Sequence, residues 1–324
     1  MFSSLIPAAR AALLGLAVGD ALGVPVEFIG REVRRRDPVT GLRGYGTHQQ
    51  PAGTWSDDSS LTFCLAETLA LPGGLRTVPN LVDFGKRAMN WLHHAYWTAT
   101  GVTFDVGGAT RTAIQRLGQG ISPTQAGPRS ELDNGNGALM RILPLVFHET
   151  WRVEPLDLNA AWTLTEAVAS VTHGHPRSTL GCFLYLLVAN QLLQGLAPAA
   201  AYKQARVSAN TWIQANAKAR VFYEWPHYAS LLDGSLPMLP EAEIKSSGYV
   251  VHTLEAALWC LLTYDTYAAT VLAAVNLGED TDTTGAVAGG LAGLAYGEDA
   301  IPAEWLAGLL RRADIEDLAV RLAQ

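Results

Sequence analysis

Residues 53–69, GTWSDDSSLTFCLAETL, carry four consecutive oxygen-bearing side chains, Ser56 to Ser59, into an apolar run. A helix cap needs only one of them, accepting a hydrogen bond from an orphan N–H of the first turn, worth about 1 kcal/mol. A second acidic cluster, NLGEDTDTTG, occupies 276–285. Asp280-x-Asp282-x-Thr284-Gly285 imitates the opening of a calcium-binding loop. That loop requires a bidentate Glu at its twelfth position, which here is Leu291, inside a small-residue apolar stretch. What remains is Ser-Asp-Asp-Ser opening one helix and Asp-Thr-Asp-Thr opening another. Hard divalent cations prefer carboxylate and hydroxyl oxygens. Asp57 and Asp58 leave a helix start in different directions, so they can serve two ions, and Asp280 and Asp282 can flank the same pair. The helix dipole opposes a cation there, but four carboxylates outweigh its half-charge. A paired Mg²⁺ or Mn²⁺ site is one interpretation; two independent helix caps are the other.

The elements that must position these residues are helical. Leu61, Leu65 and Leu69 recur at four-residue intervals, as do Val251, Leu254, Leu258, Leu261 and Leu262 at helical spacing. Segments near 5–22, 59–71, 80–99, 106–117, 137–148, 159–172, 177–195, 198–216, 249–263, 266–277, 284–296 and 303–310 read as helices, joined by short Pro/Gly/Asp/Asn connections. No strand-type alternation is sustained, and no linker divides the chain, so one all-α domain over 1–324 is expected. Two stretches, AALLGLAVGDALG and GAVAGGLAGLAYG, are crowded with small residues that let helix backbones approach closely, and both adjoin acidic residues.

The bulk numbers exclude several classes. With 49% hydrophobic residues among 324, a sizeable core is available. A net charge of −7 and the lack of a basic patch beyond REVRRR (31–36), read as a solvated loop, argue against a nucleic-acid binder. Cys64, Cys182 and Cys260 are too few and too far apart for a disulfide frame or a zinc site, and suit a reducing compartment. The apolar N-terminal stretch is interrupted by Arg10 and ended by Asp20, so it reads as a core helix and not a signal peptide. The run from Leu180 is too short to span a bilayer. A soluble, cytoplasmic protein with no membrane partner is expected.

Taken in order, GLAVGDALGVPVEF, TWSDDSS, FDVGGAT, NGNGALMRILPL, VTHGHP, SGYVVHTLEAAL and GEDTDTTGAVAGGLAG resemble the successive motifs of the ADP-ribosylglycohydrolase family over nearly the whole chain. The resemblance implies a compact, orthogonal all-α bundle with two divalent cations, Mg²⁺ or alternatively Mn²⁺, at the base of a cleft that binds ADP-ribose. The implied ligands are Ser56, Asp57, Asp58, Asp280, Asp282 and Thr283, with Glu27 where some members place a further, mobile carboxylate. Ser56 replaces the commoner Thr, Gly108 stands where some members carry an Asn, and Glu279 replaces a frequent Gly.

The implied activity is hydrolysis of a glycosidic bond at the anomeric carbon of ADP-ribose on a modified protein, with ADP-ribosyl-arginine favoured. A serine-linked or free ADP-ribose derivative is the alternative, as is a silent binding homologue. The cations would orient the ribose diol and polarise water, and a carboxylate would take its proton. Asp58, Asp105 and Glu27 are the candidate catalytic groups. Asp105 is expected to position the scissile linkage without itself ligating a cation; the competing explanation is a cap for a helix starting near Val106. The expected substrate contacts are Asp105, Gly107, Asn134, Gly135, Asn136, Gly137, His173 and Tyr249. In isolation Gly135-Asn136-Gly137 is a turn opening a helix at Ala138, whose N–H groups suit phosphate; in the family it is the diphosphate and ribose loop. Tyr249 can flank the distal ribose or adenine, or simply pack. His175 is expected to be structural, and His252 and Glu255 to form a surface pair one turn apart.

Overall fold

Small residues set the central packing. The Ile6–Gly23 and Thr281–Tyr296 helices run antiparallel with their glycines face to face. In the computed structural model, which describes residues 5–74, 79–217 and 219–324, a Cβ on Gly19 would collide with the carbonyl oxygen of Gly285, and one on Gly285 with that of Gly19. Gly15 meets Gly289 in the same way, and Gly23 meets the backbone of Asp282. No side chain separates the two backbones, so the last turn of one helix is locked to the first turn of the other. Thr281 Oγ1 donates to the Gly23 carbonyl oxygen at 2.8 Å, and Tyr267 donates its hydroxyl to that of Gly15 at 2.7 Å.

Around this pair the other helices form an all-α bundle with one continuous buried core; among the described residues there is no strand. The Ile6–Gly23 helix and its extension to Val26 are apolar and long enough to cross a membrane by composition, yet 94% of that window is buried inside the protein. The Asp57–Leu69 helix enters at the end of the first. Asp20, fully buried, accepts from Ser56 N (2.9 Å), Ser59 N (3.0 Å) and Ser59 Oγ (2.6 Å), while Ser56 Oγ accepts from Asp58 N at 3.3 Å. Three helix ends therefore meet at one point.

Several expected elements differ. The 137–148 stretch is not a helix: it is a turn followed by a 3-10 segment, Leu143–Phe147, where Pro144 withholds an amide proton. The helix at 80–99 is Leu81–His94, stopped by Ala95 in the left-handed region. REVRRR is not a solvated loop but a short helix, Arg31–Arg36, with Arg34 buried. Helix Arg312–Leu322 lies outside the expected segments, although Ile315, Leu318 and Leu322 mark a buried face at helical spacing. The Asp57–Leu69 helix starts two residues earlier than expected, which puts Asp57 and Asp58 inside its first turn.

The glycine contact makes a sharp prediction. Alanine at an ordinary helix interior is favoured over glycine by about 1 kcal/mol. At Gly285 the added methyl meets rigid backbone, so Gly285→Ala should instead lose roughly 1–3 kcal/mol, seen as a lower midpoint in thermal unfolding. A raised midpoint would show that the two helices can separate freely.

Candidate active site

The two acidic helix starts converge. Asp57 and Asp58 occupy the first turn of one helix; Asp280 is the N-cap residue of the other, with Asp282 and Thr283 in its first turn. Asp58 Oδ2 accepts from Ser56 Oγ at 3.1 Å and from Thr283 Oγ1 at 3.3 Å, so the two clusters touch. Asp280 makes no side-chain cap bond to its own helix. Its Oδ2 accepts instead from Asn136 Nδ2 at 2.8 Å. Independent capping thus accounts for Ser56 and leaves the aspartates unexplained.

Their electrostatics are unfavourable as they stand. Asp58 Oδ1, Asp280 Oδ1 and Asp282 Oδ2 are buried without any hydrogen-bond donor. Among the described residues none of these aspartates pairs with Lys or Arg. Burial first, and then the neighbouring carboxylates, push Asp57, Asp58 and Asp282 far above the ordinary range. Burial likewise raises Asp280, against the Asn136 bond. Buried like charges with orphaned oxygens are the donor set that hard cations satisfy, so the residues present fit divalent metal ions.

A third wall adds two more acids. Glu27 follows the first helix and its carboxylate is hydrogen-bonded to His48 Nε2. Burial dominates over that bond and holds Glu27 up at about 7. Asp105 stands beside them, and burial raises its carboxyl above the ordinary range against the lowering influence of His48. The cap explanation for Asp105 fails: the helix begins at Gly108, after Gly107, with no side-chain cap. Ligand atoms of Glu27, His48, Asp105 and Asp282 lie within 4.8 Å of one another, so Asp105 stands beside Asp282, one of the expected ligands. Phe28, Tyr45, Gln49, Asp105 and Glu279 all have positive φ. For such residues this region costs of order 1–3 kcal/mol each; Asp105 is itself one of the acids of the site, and Phe28 and Glu279 adjoin Glu27 and Asp280 in the chain. Glu279 itself faces solvent.

Above the acids lies a cavity of about 540 Å³. Glu27, Asp57, Asp105, Gly107, Asp280 and Thr283 line one side; Gly135, Asn136, Gly137, His173 and Gly248 line another. Ser56, Asp58 and Asp282 are not on its wall. No helix starts at Ala138, and the Asn136 N–H donates to the Gly248 carbonyl oxygen at 3.1 Å, so that amide is not available to a phosphate. The glycines provide room instead: a Cβ on Gly137 would lie 2.6 Å from His173 Cε1, and one on Gly248 would lie 3.0 Å from Asp280 Oδ2. Asn134 and Tyr249 are set back from the cavity wall; the 134–136 and 248–250 segments pair by a bridge between Gly135 and Tyr249. His175 caps the Pro176–Leu193 helix through Arg177 N, as a structural residue would. His252 and Glu255 are not a surface pair: both are half-buried and bonded elsewhere, to Ser247 and Ser230. Sequence reasoning missed His48, on an irregular turn without periodicity, and the anchoring role of Asp20, although the Gly-Asp pair was in view.

The profile of the ADP-ribosylglycohydrolase family matches residues 3–324. ADP-ribosylarginine hydrolase Tri1 of Pseudomonas putida (strain GB-1) is 32% identical over 97% of this chain and 77% of its own. ADP-ribosyl-(dinitrogen reductase) glycohydrolase of Rhodospirillum rubrum is 32% identical over 95% of this chain and 92% of its own. A solved structure described as an ADP-ribosylglycohydrolase-related protein complex superimposes with a TM-score of 0.78 at 31% identity, covering 99% of each chain.

Two outcomes follow from the acidic cluster. Asp58→Asn and Asp282→Asn remove a repelled charge, so each variant should be more heat-stable than the wild type without metal, yet bind Mn²⁺ more weakly by titration calorimetry. Unchanged metal affinity in both would remove these aspartates from the ligand set. The second outcome is a pH dependence. Glu27 titrates near 4.3 when unfolded and at about 7 when folded. Between those values the folded state holds the extra proton, so stability present below about 4.3 is lost as pH rises through about 7. The metal-free melting temperature should fall across that window, and Mn²⁺ should flatten the decline.

Proposed function

The chain belongs to the ADP-ribosylglycohydrolase family and is a glycosidic-bond hydrolase that removes ADP-ribose; we propose that its substrate is a protein carrying ADP-ribosyl-arginine and that it works with two divalent cations, Mg²⁺ or Mn²⁺. The observation that carries the metal dependence is the set of three buried carboxylate oxygens with no donor, on Asp58, Asp280 and Asp282, of which Asp280 lines a ligand-sized cavity. The arginine linkage is supported by the relatives' names. Intact Asp57, Asp58, Asp280 and Asp282 argue against a silent homologue.

Ser56, Asp57, Asp58, Asp280, Asp282 and Thr283 would hold the cations, with Glu27 within reach as a further ligand. When bound, such ions neutralise the cluster and act as Lewis acids toward the ribose hydroxyls and water. Asn136, fixed between Thr253 (2.9 Å) and Asp280 (2.8 Å), ties the ligand wall to the acidic floor. Asp105, on the cavity wall and raised by burial, suits a group that positions the linkage and takes a proton as positive charge develops on the ring carbon. The departing guanidine is strongly basic and captures its proton readily. The product ligand is ADP-ribose, and the net charge of −7 offers nucleic acid no electrostatic footing. Three buried free cysteines suit a reducing cytoplasm.

The deciding assay is metal-dependent release of ADP-ribose from arginine-modified against serine-modified protein. Faster release from arginine is expected; release from serine alone would reassign the linkage. ADP-ribose should also stabilise the metal-loaded protein by roughly 2.7 kcal/mol at a hundredfold excess over its Kd. Asp105→Asn should fold normally while turnover drops ~10²-fold or more. Near-normal turnover would exclude Asp105 from the chemistry, and lost metal binding would move it into the ligand set.

A further inference from the structure

The imidazole of His173 is held from behind by a hydrogen-bonded chain that ends on a buried cation. Arg141 is 0% exposed. Its Nη2 donates to the carbonyl oxygens of Val168 (3.2 Å) and Ala169 (3.3 Å) and to Thr172 Oγ1 (2.8 Å). A guanidinium has donors only, so Thr172 Oγ1 is an acceptor toward Arg141 and keeps its single proton to give. Thr172 is itself fully buried. Among the described residues the group within reach of that proton is His173 Nδ1, at 3.0 Å. Were Nδ1 to carry a proton and donate it to Thr172, the hydroxyl proton would be stranded, at a cost of about 1–3 kcal/mol. The order Arg141 to Thr172 to His173 gives the Thr172 hydroxyl proton an acceptor.

From this geometry we infer that His173 is fixed as the tautomer with a bare Nδ1 and a protonated Nε2, presenting a neutral hydrogen-bond donor to the cleft, with Arg141 and Thr172 as its positioning residues. Nε2 has no partner among the described residues and faces the glycine loop: a Cβ on Gly135 would lie 3.6 Å from it, and one on Gly137 3.2 Å. Burial, and then the Arg141 charge, push the ring down to about 3, which keeps it neutral. A donor-only edge accepts an oxygen acceptor, of the kind a phosphate or a ribose oxygen provides, and turns away another donor. It also takes His173 out of proton transfer near neutral pH. The ligand in this statement rests on the ADP-ribose reading; the tautomer does not.

The test uses protein labelled with ¹⁵N-histidine, in which two-bond proton–nitrogen correlation spectra distinguish the tautomers, together with calorimetry of ADP-ribose binding to the metal-loaded protein. Wild-type His173 should show protonated Nε2 and bare Nδ1. Thr172→Val should lose that pattern and bind ADP-ribose about tenfold more weakly, the scale of one hydrogen bond to a charged group, and Thr172→Ser should restore both. A protonated Nδ1 in the wild type overturns the assignment, as does a Thr172→Val spectrum unchanged from it. If Thr172→Val does not fold, the wild-type and Thr172→Ser spectra decide. An Nε2-protonated wild type that does not bind ADP-ribose upholds the tautomer and defeats the ligand reading instead.

Discussion

Everything at the site depends on two helices with no side chains between them. Because Gly15, Gly19 and Gly23 of the first helix lie against Gly289, Gly285 and Asp282, the register of the pair is set by backbone collision and cannot slide. That register brings Asp20, near the end of one helix, and Asp280 and Asp282, at the start of the other, into one small volume. Asp20 then receives the start of the Asp57–Leu69 helix through three hydrogen bonds. The acidic cluster is thus a product of helix packing and not of local loop geometry.

Such a cluster works against folding. Carboxylates forced together out of water repel one another and lose hydration, which is why Asp57, Asp58 and Asp282 are driven far above their ordinary range. The positive φ of Phe28, Asp105 and Glu279 adds backbone strain in the same place. The large core carries these costs, and divalent cations would relieve the electrostatic part. The same physics makes the site responsive: a ligand set that is unfavourable when empty gains most when filled.

The opposite wall is made differently. The chain pairs briefly with the 248–250 segment at 134–136, then turns where a helix was expected after Gly137, and Asn136 ties Thr253 to Asp280. Spatial room, given by Gly137 and Gly248, replaces a row of free amides. His173 closes this wall from behind and is held there by buried residues that never reach the cavity.

By itself the sequence determined the helical class, because apolar residues recur with helical period, and it marked both acidic helix starts, because residue type and spacing are local properties. It also carried the ordered motifs from which the family could be recognised. It could not show that Asp105 lies within 4.8 Å of Glu27, His48 and Asp282, that His48 backs Glu27, or that Arg141 reaches His173 through Thr172. It also misplaced the 137–148 segment, whose apolar residues satisfy the helical pattern while the chain forms a turn and a 3-10 segment containing Pro144. Periodicity reports which face of an element is buried, but contacts between residues far apart in the chain arise only when close-packed backbones settle the register. Here that register, set by glycines whose role is invisible until a second helix lies against them, was decided by the tertiary structure alone.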